Sequence, residues 1–287
     1  MVTYNPKDWF ILILHFHKSD TFRKLFISLI CIGIYSAAIV YTETSVVHFH
    51  IKNPTALHSI LGFALSMLLV FRTNTAYDRW WEGRKNWGSI VNNSRNLALK
   101  LTTFSISEKN KTELKYLIIN YFFSLKNHLR DVFIESEFYP TDDLTLDDFS
   151  KSKHKPNKIA KVIYNKIITM RNNNELTMDQ LLIINEELRS FSDNCGACER
   201  IKNTPIPFSY NIFLKKMIFL YCISLPLFFG GEFGYTTVPI TMILLYVFAS
   251  IELIAEEIED PFGNDENDLP ADKICESLKN NLNEILD

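Results

Sequence analysis

The 287-residue sequence predicts an all-α integral membrane protein with four membrane-crossing helices and a helical cytoplasmic region. Three observations lead there. First, four long stretches carry no Asp, Glu, Lys or Arg: residues 25–42, 53–71, 217–231 and 233–251. A bilayer core takes roughly 17–25 apolar residues per helix. Three stretches reach that length, and 217–231 reaches it once its helix extends into the flanking residues. Second, the polar segments between them space their apolar residues at helical intervals, and no strand-like alternation persists. Third, 22 phenylalanines against 9 glycines suit helices that face lipid or pack tightly. The averages conceal this segregation: 47% hydrophobic, 22% charged and a mean hydropathy of +0.01 describe an ordinary soluble chain.

Taken in order, the chain reads as an N-terminal segment with the first two membrane helices (1–71), a cytoplasmic helical region (72–215), membrane helices three and four (216–256), and an acidic turn with a last helix (257–287). The first residues show no signal-peptide pattern, because Asp8, Lys18, Asp20, Arg23 and Lys24 recur before the first apolar run. Basic residues set the orientation. Lys18, Arg23 and Lys24 precede the first run, and only Lys52 separates the first from the second. Arg72, Arg79, Arg84, Lys85, Arg95 and Lys100 follow the second; Lys202, Lys215 and Lys216 precede the third; none separates the third from the fourth. Both termini and the middle region therefore belong on the cytoplasmic side.

Within that region, residues 110–135 place Leu114, Leu117, Ile118, Tyr121 and Phe122 at helical spacing. Residues 135–157 turn acidic, then basic, with two prolines, and read as a loop. A short helix and an Asn-rich turn follow. The next helix, 176–194, takes Thr177 as N-cap and ends near Gly196. The last segment, ADKICESLKNNLNEILD, is amphipathic.

A net charge of −3 leaves no nucleic-acid footprint. Five scattered cysteines give no disulfide framework. Cys195 and Cys198 form a CxxC without a second half, which favours a tight turn between helices over a metal site. No phosphate loop, HExxH or nucleophile elbow is present, so the sequence offers no enzyme chemistry.

The second run carries the main signal. Phe63, Met67 and Phe71 follow one another at four-residue steps, each about 400° of helix turn, so all three lie within about an 80° arc. Ser59, Gly62 and Ser66 form a neighbouring stripe of small residues that suits close helix approach, while Leu61 and Leu65 are read as lipid-facing. If the helix continues straight, the ridge runs on into Asn74 and Asp78. A greasy constriction above hydrophilic groups on one face suits a ring of identical helices; the alternatives are ordinary lipid-facing or bundle-core surface for the ridge and a local pair with Arg79 or Arg84 for Asp78. Further on, Asp260, Asp265, Glu266 and Asp268 surround a Pro-Phe-Gly turn and could offer hard oxygen ligands to Ca²⁺, although the EF-hand spacing is absent.

The stretches FRTNTAYDRWWEGRKNWG (71–88), NCGACERIKNTPIPFSY (194–210) and IEDPFGNDENDLPAD (258–272), in this order among four apolar runs, resemble the bestrophin family and its bacterial members in particular. The resemblance covers nearly the whole chain. It implies a homopentamer in a bacterial-type inner membrane, passing small monovalent ions, chloride or sodium and potassium, along a central axis. It places an apolar neck on Phe63, Met67 and Phe71, with Asn74 and Asp78 in the vestibule below. A second constriction falls near Asp179, where family members more usually carry an aliphatic residue. Asp260, Asp265 and Asp268 match positions that hold Ca²⁺ in animal members, helped by carbonyls near the N-terminus. Asn264 replaces an acidic residue there, so weak or absent Ca²⁺ binding is expected and no cofactor is required. The competing reading is a membrane-anchored helical scaffold that binds a cytoplasmic partner.

Overall fold

The computed structural model describes residues 20–47 and 55–287. Asp8, Lys18, Lys52 and the N-terminal carbonyls expected near the acidic turn lie outside the described residues. The described elements are α1 (Asp20–Thr42) with a π-helical turn Glu43–Val47, α2 (Thr55–Thr102), α3 (Glu108–Leu129), α4 (Leu146–Ser150), α5 (Lys155–Asn172), α6 (Met178–Asn203), α7 (Phe208–Phe233), α8 (Thr237–Glu259) and α9 (Ala271–Leu286). Among the described residues the only β pairing is one isolated bridge, Thr141 with Leu144. The chain forms two compact units: the described residues up to Arg79 with Pro205–Glu259, and Trp80–Thr204 with Asp260–Asp287.

The stretches Thr21–Val46 and Phe208–Glu259 of the first unit, and Thr55–Thr102, which begins in it, are long and apolar enough to cross a membrane. Phe208–Glu259 is two helices. Gly234 reverses the chain at φ +56°, a left-handed conformation that costs glycine nothing, and α8 packs back against α7. At 26 and 23 residues these helices run about 39 and 35 Å, enough for a hydrocarbon core of about 30 Å. α7 acquires its length as expected, by extending beyond the apolar run on its N-terminal side, and it passes through Pro226. α1 packs on α8 and α7, and Tyr35 donates its hydroxyl to the Ile223 carbonyl at 3.2 Å. Large apolar side chains point outward, with Ile27 73% and Ile34 67% exposed, as helices solvated by lipid require.

The second unit is a helical bundle in which α3 packs against α5, α6 and α9. Its core includes Trp87, Leu117, Phe122, Ile163, Phe191 and Leu278. Three readings change here. The segment 135–157 is not all loop: it holds a 3₁₀ turn at Glu135–Glu137, the short α4, and the first turn of α5. Thr177 does cap α6, in a capping box with Gln180, but the helix runs through Gly196 to Asn203. The CxxC therefore lies inside a helix rather than in a turn. Ile184, Leu188, Phe191, Cys195, Cys198 and Ile201 form one buried stripe, and burying it outweighs the roughly 1 kcal/mol that a mid-helix glycine costs. Burial pushes the Cys195 thiol up to about 12 and Cys198 higher still, with the Glu199 carboxylate acting in the same direction. Both are protonated thiols at neutral pH.

Candidate ion pathway

α2 explains how one helix passes from apolar to polar sequence without a break. Its buried positions are His58, Leu65, Leu69, Arg72 and Ala76, then Gly83, Trp87, Ile90, Ser94, Leu97, Ala98 and Leu101. Steps of three, four and seven residues keep the buried positions on one stripe of the helix within each unit. Leu65 and Leu69 close a small apolar cluster with Leu214, Ile218 and Cys222 of α7. Leu65 is thus fully buried, not lipid-facing. The neighbouring Gly62 meets α7 as well: a Cβ there would sit 2.9 Å from the Tyr221 hydroxyl, so part of the small-residue stripe serves packing within the chain.

The polar half begins with an inward charge. Arg72, whose side chain is completely buried, pairs with Glu259 at 2.6 Å. The other Glu259 carboxylate oxygen accepts the Ile206 amide at 2.6 Å, and the Glu259 carbonyl accepts from Arg79 Nε at 3.2 Å. Arg72 is therefore a neutralised anchor and not a free positive flank. Short hydroxyls cause no break either: Ser66, Thr73 and Thr75 each donate to the carbonyl four residues back.

The face opposite the buried stripe carries the expected ridge. Phe63, Met67 and Phe71 are 68%, 43% and 57% exposed. Asn74 and Asp78 are also exposed and lie about 20° and 60° around the helix from Phe63. All five share one face of α2. The local pair considered for Asp78 is absent: among the described residues no ion pair reaches it, and Arg79 turns to Glu259 instead. Further along the helix, Trp81, Arg84, Lys85, Gly88, Ser89, Asn92 and Asn93 line an open polar recess. Only the folded helix gathers these side chains of the RWWEGRKNWG stretch around one recess.

Asp179 is exposed in the first turn of α6. The cap belongs to Thr177 and Gln180, so Asp179 does not cap its own helix, although the helix N-terminus still favours its negative charge. Beside it Met178, Leu182 and Ile183 are 55%, 62% and 52% exposed. Asp179 and the α2 ridge belong to different units of the chain.

The acidic turn is tightly built. Gly83 of α2 lies against Pro261 and Phe262, with a Cβ position only 3.1 Å from Pro261, so a side chain there would press on the turn. Arg130 donates from Nε to the carbonyls of Phe262 and Gly263 and pairs with Asp272 at 2.8 Å. Asp268 accepts the Asp265 amide at 2.6 Å. It is only 2% exposed, and burial pushes its carboxyl up to about 6 against the opposing pull of the Asp265 amide, helped by the Asp265 and Asp260 carboxylates. Among the described residues one Asp268 oxygen is buried without a partner. Asp260 and Asp265 are exposed, and among the described residues the three carboxylates do not gather into one ligand cluster. Three carboxylates are fewer than the six to eight oxygens that Ca²⁺ takes.

The family model for the bacterial and fungal bestrophin protein matches residues 1–284. A Nostoc protein named voltage-dependent anion channel-forming protein alr2987 is 35% identical over 292 residues, covering 99% of this chain and 94% of its own. The voltage-dependent anion channel-forming protein YneE of Escherichia coli O157:H7 is 32% identical over 290 residues, covering 100% and 94%. A crystal structure of a bacterial bestrophin homologue from Klebsiella pneumoniae superposes with a TM-score of 0.84 at 26% identity, covering 92% of this chain and all of that one. With a family match over almost the whole length and a shared all-helical fold, the chain belongs to the bacterial and fungal bestrophin family.

Proposed function

We propose that the chain is the subunit of a passive ion channel in a bacterial inner membrane. Five copies surround an axis lined by α2, with both termini on the cytoplasmic side. Four helices cross the bilayer: α1, the first half of α2, α7 and α8. The observation that carries this reading is the exposed ridge Phe63, Met67 and Phe71 on a helix whose same face becomes hydrophilic at Asn74 and Asp78. Five such ridges form a narrow apolar neck that closes by dewetting and conducts when it widens or wets. An apolar neck carries no fixed charge, so the sign of the ion is chosen elsewhere. The names of the Nostoc and Escherichia coli relatives favour anions, and Arg84 and Lys85 in the recess of α2 agree with that.

A cation-selective reading rests on Asp78 and Asp179, exposed carboxylates with no ion pair among the described residues. Multiplied by five they would favour cations. Ca²⁺ is not required for conduction on either reading. The deciding experiment is reconstitution into liposomes or planar bilayers with asymmetric salt. Conduction with a reversal potential near the chloride value supports the anion channel; a value near that of the cation supports the second reading. A correctly assembled protein without ion flux would instead leave the membrane-anchored scaffold as the better description.

A further inference from the structure

Three side chains far apart in sequence meet on one side of the second unit. His128 lies in the last turn of α3, His154 precedes α5 as its N-cap, and Glu199 follows the CxxC on α6. Each histidine Nε2 lies 2.7 Å from the same Glu199 oxygen, and the rings stand 4.6 Å apart between centroids. The three potential ligand atoms all fall within 4.8 Å of one another, the only such group among the described residues. The side chains are 27–33% exposed, so an ion can reach them.

We propose that His128, His154 and Glu199 bind a divalent transition metal ion of the zinc class. Two imidazole nitrogens and one carboxylate oxygen form the His₂Glu donor set that suits Zn²⁺ and leaves a fourth position for water. The set does not suit Ca²⁺ or Mg²⁺, which take oxygen ligands. Tetrahedral ligands about 2.0–2.1 Å from zinc stand roughly 3.3 Å apart, so the shared oxygen withdraws by about 0.6 Å from each ring nitrogen, and the two ring nitrogens, which lie within 4.8 Å of each other, settle at that same spacing. The backbone already aims one ring. The Asn157 amide donates to His154 Nδ1 at 3.2 Å, which turns Nε2 toward Glu199. Lys202 does not compete for the carboxylate, because it pairs with Asp131 at 2.6 Å and donates to the His128 carbonyl. The buried thiols of Cys195 and Cys198 are not part of the site.

Ion binding has one internal consequence. With Nδ1 accepting a hydrogen bond, the neutral His154 ring carries its proton on Nε2. Coordination through Nε2 moves that proton to Nδ1, and the Asn157 amide gives up its acceptor. The bound ion ties the end of α3, the start of α5 and the C-terminal end of α6 together while loosening one helix cap.

The test uses the purified full-length protein, stripped with a chelator and titrated calorimetrically with ZnCl₂. One ion per chain is expected, with no response to CaCl₂ or MgCl₂. His128→Ala, Glu199→Gln and His154→Asn, which keeps a capping side chain, should each weaken binding at least as much as the roughly 10–100-fold that loss of an outer-shell partner costs. Hydrogen exchange at the Asn157 amide should quicken when zinc is added. CoCl₂ on the unsubstituted protein should give tetrahedral ligand-field bands without a thiolate charge-transfer band. Zinc binding that is absent, that all three variants leave unchanged, or that brings a thiolate band with cobalt overturns the proposal.

Discussion

Replacing Glu259 by Gln tests the buried link between the start of the polar half of α2 and the end of α8. Arg72 is 0% and Glu259 9% exposed at the side chain, with 2.6 Å between them, so solvent screens the pair little. Removing one partner of a buried ion pair costs about 3–5 kcal/mol, because the remaining charge stays buried without compensation. Glutamine retains a carbonyl for the Ile206 amide, so the lower end, about 3 kcal/mol, applies. Glu259→Ala also strands that amide and adds about 1–3 kcal/mol. At roughly 2–4 °C per kcal/mol for a chain of this size class, Glu259→Gln should lower the melting temperature by on the order of 10 °C. Adding Arg72→Met to Glu259→Gln removes the stranded charge and should recover much of the loss, which a double-mutant cycle reads as strong coupling. Lys24→Ala is the comparison: its ion pair with Glu257 at 2.9 Å is 45% exposed on the lysine side, and such pairs contribute at most about 1 kcal/mol. The assay is thermal challenge of the detergent-solubilised protein followed by size-exclusion chromatography. If Glu259→Gln melts with the parent, or no better when Arg72→Met is added, the buried pair does not hold the helices as argued.

The neck predicts its own variant: Phe63→Ala, Met67→Ala and Phe71→Ala together should raise ion flux into liposomes while shifting stability little, since all three side chains are exposed; unchanged flux in an assembled protein would place the gate elsewhere. Asp179→Asn should move the reversal potential toward the chloride value, and a potential that stays put at intact conductance removes Asp179 from the path. Ca²⁺ binding should be weak or absent; micromolar binding by calorimetry that Asp265→Ala abolishes would refute this. Glu175 accepts from the Asn110 side chain and from the Ser107 amide and hydroxyl, and these contacts, the Asn110 bond foremost, hold its carboxyl below the ordinary 4.5. A depressed carboxyl stabilises the fold above its unfolded value and loses that contribution as pH falls through the folded value. Glu175→Gln should therefore cost less than about 1 kcal/mol at neutral pH, and the difference from the parent should fade as pH falls below 4.5 and vanish below the lower, folded value; a difference that does not shrink with acid contradicts the assignment.

The sequence by itself determined which segments are apolar helices, because long uncharged runs in lipid must satisfy their own backbone hydrogen bonds. It also determined the register of Phe63, Met67 and Phe71, since helical periodicity fixes the angle between residues four apart. Thr177 was legible as a cap for the same local reason: its hydroxyl and the Gln180 side chain need only each other's backbone. The tertiary structure decided which way each apolar residue faces. Leu65 and Phe63 are equally suited to lipid, and only the approach of Leu214 and Ile218 on α7 turns Leu65 inward. It also decided the fate of charges. Arg72 reads as a positive flank until Glu259, 187 positions away, buries and neutralises it. Cys195 and Cys198 read as a turn until the bundle supplies a core for them. His128, His154 and Glu199 share no spacing at all and become a cluster only when three helices bring them within 4.8 Å. Local periodicity carries backbone and register, whereas desolvation and ion pairing depend on neighbours that the chain supplies from a distance.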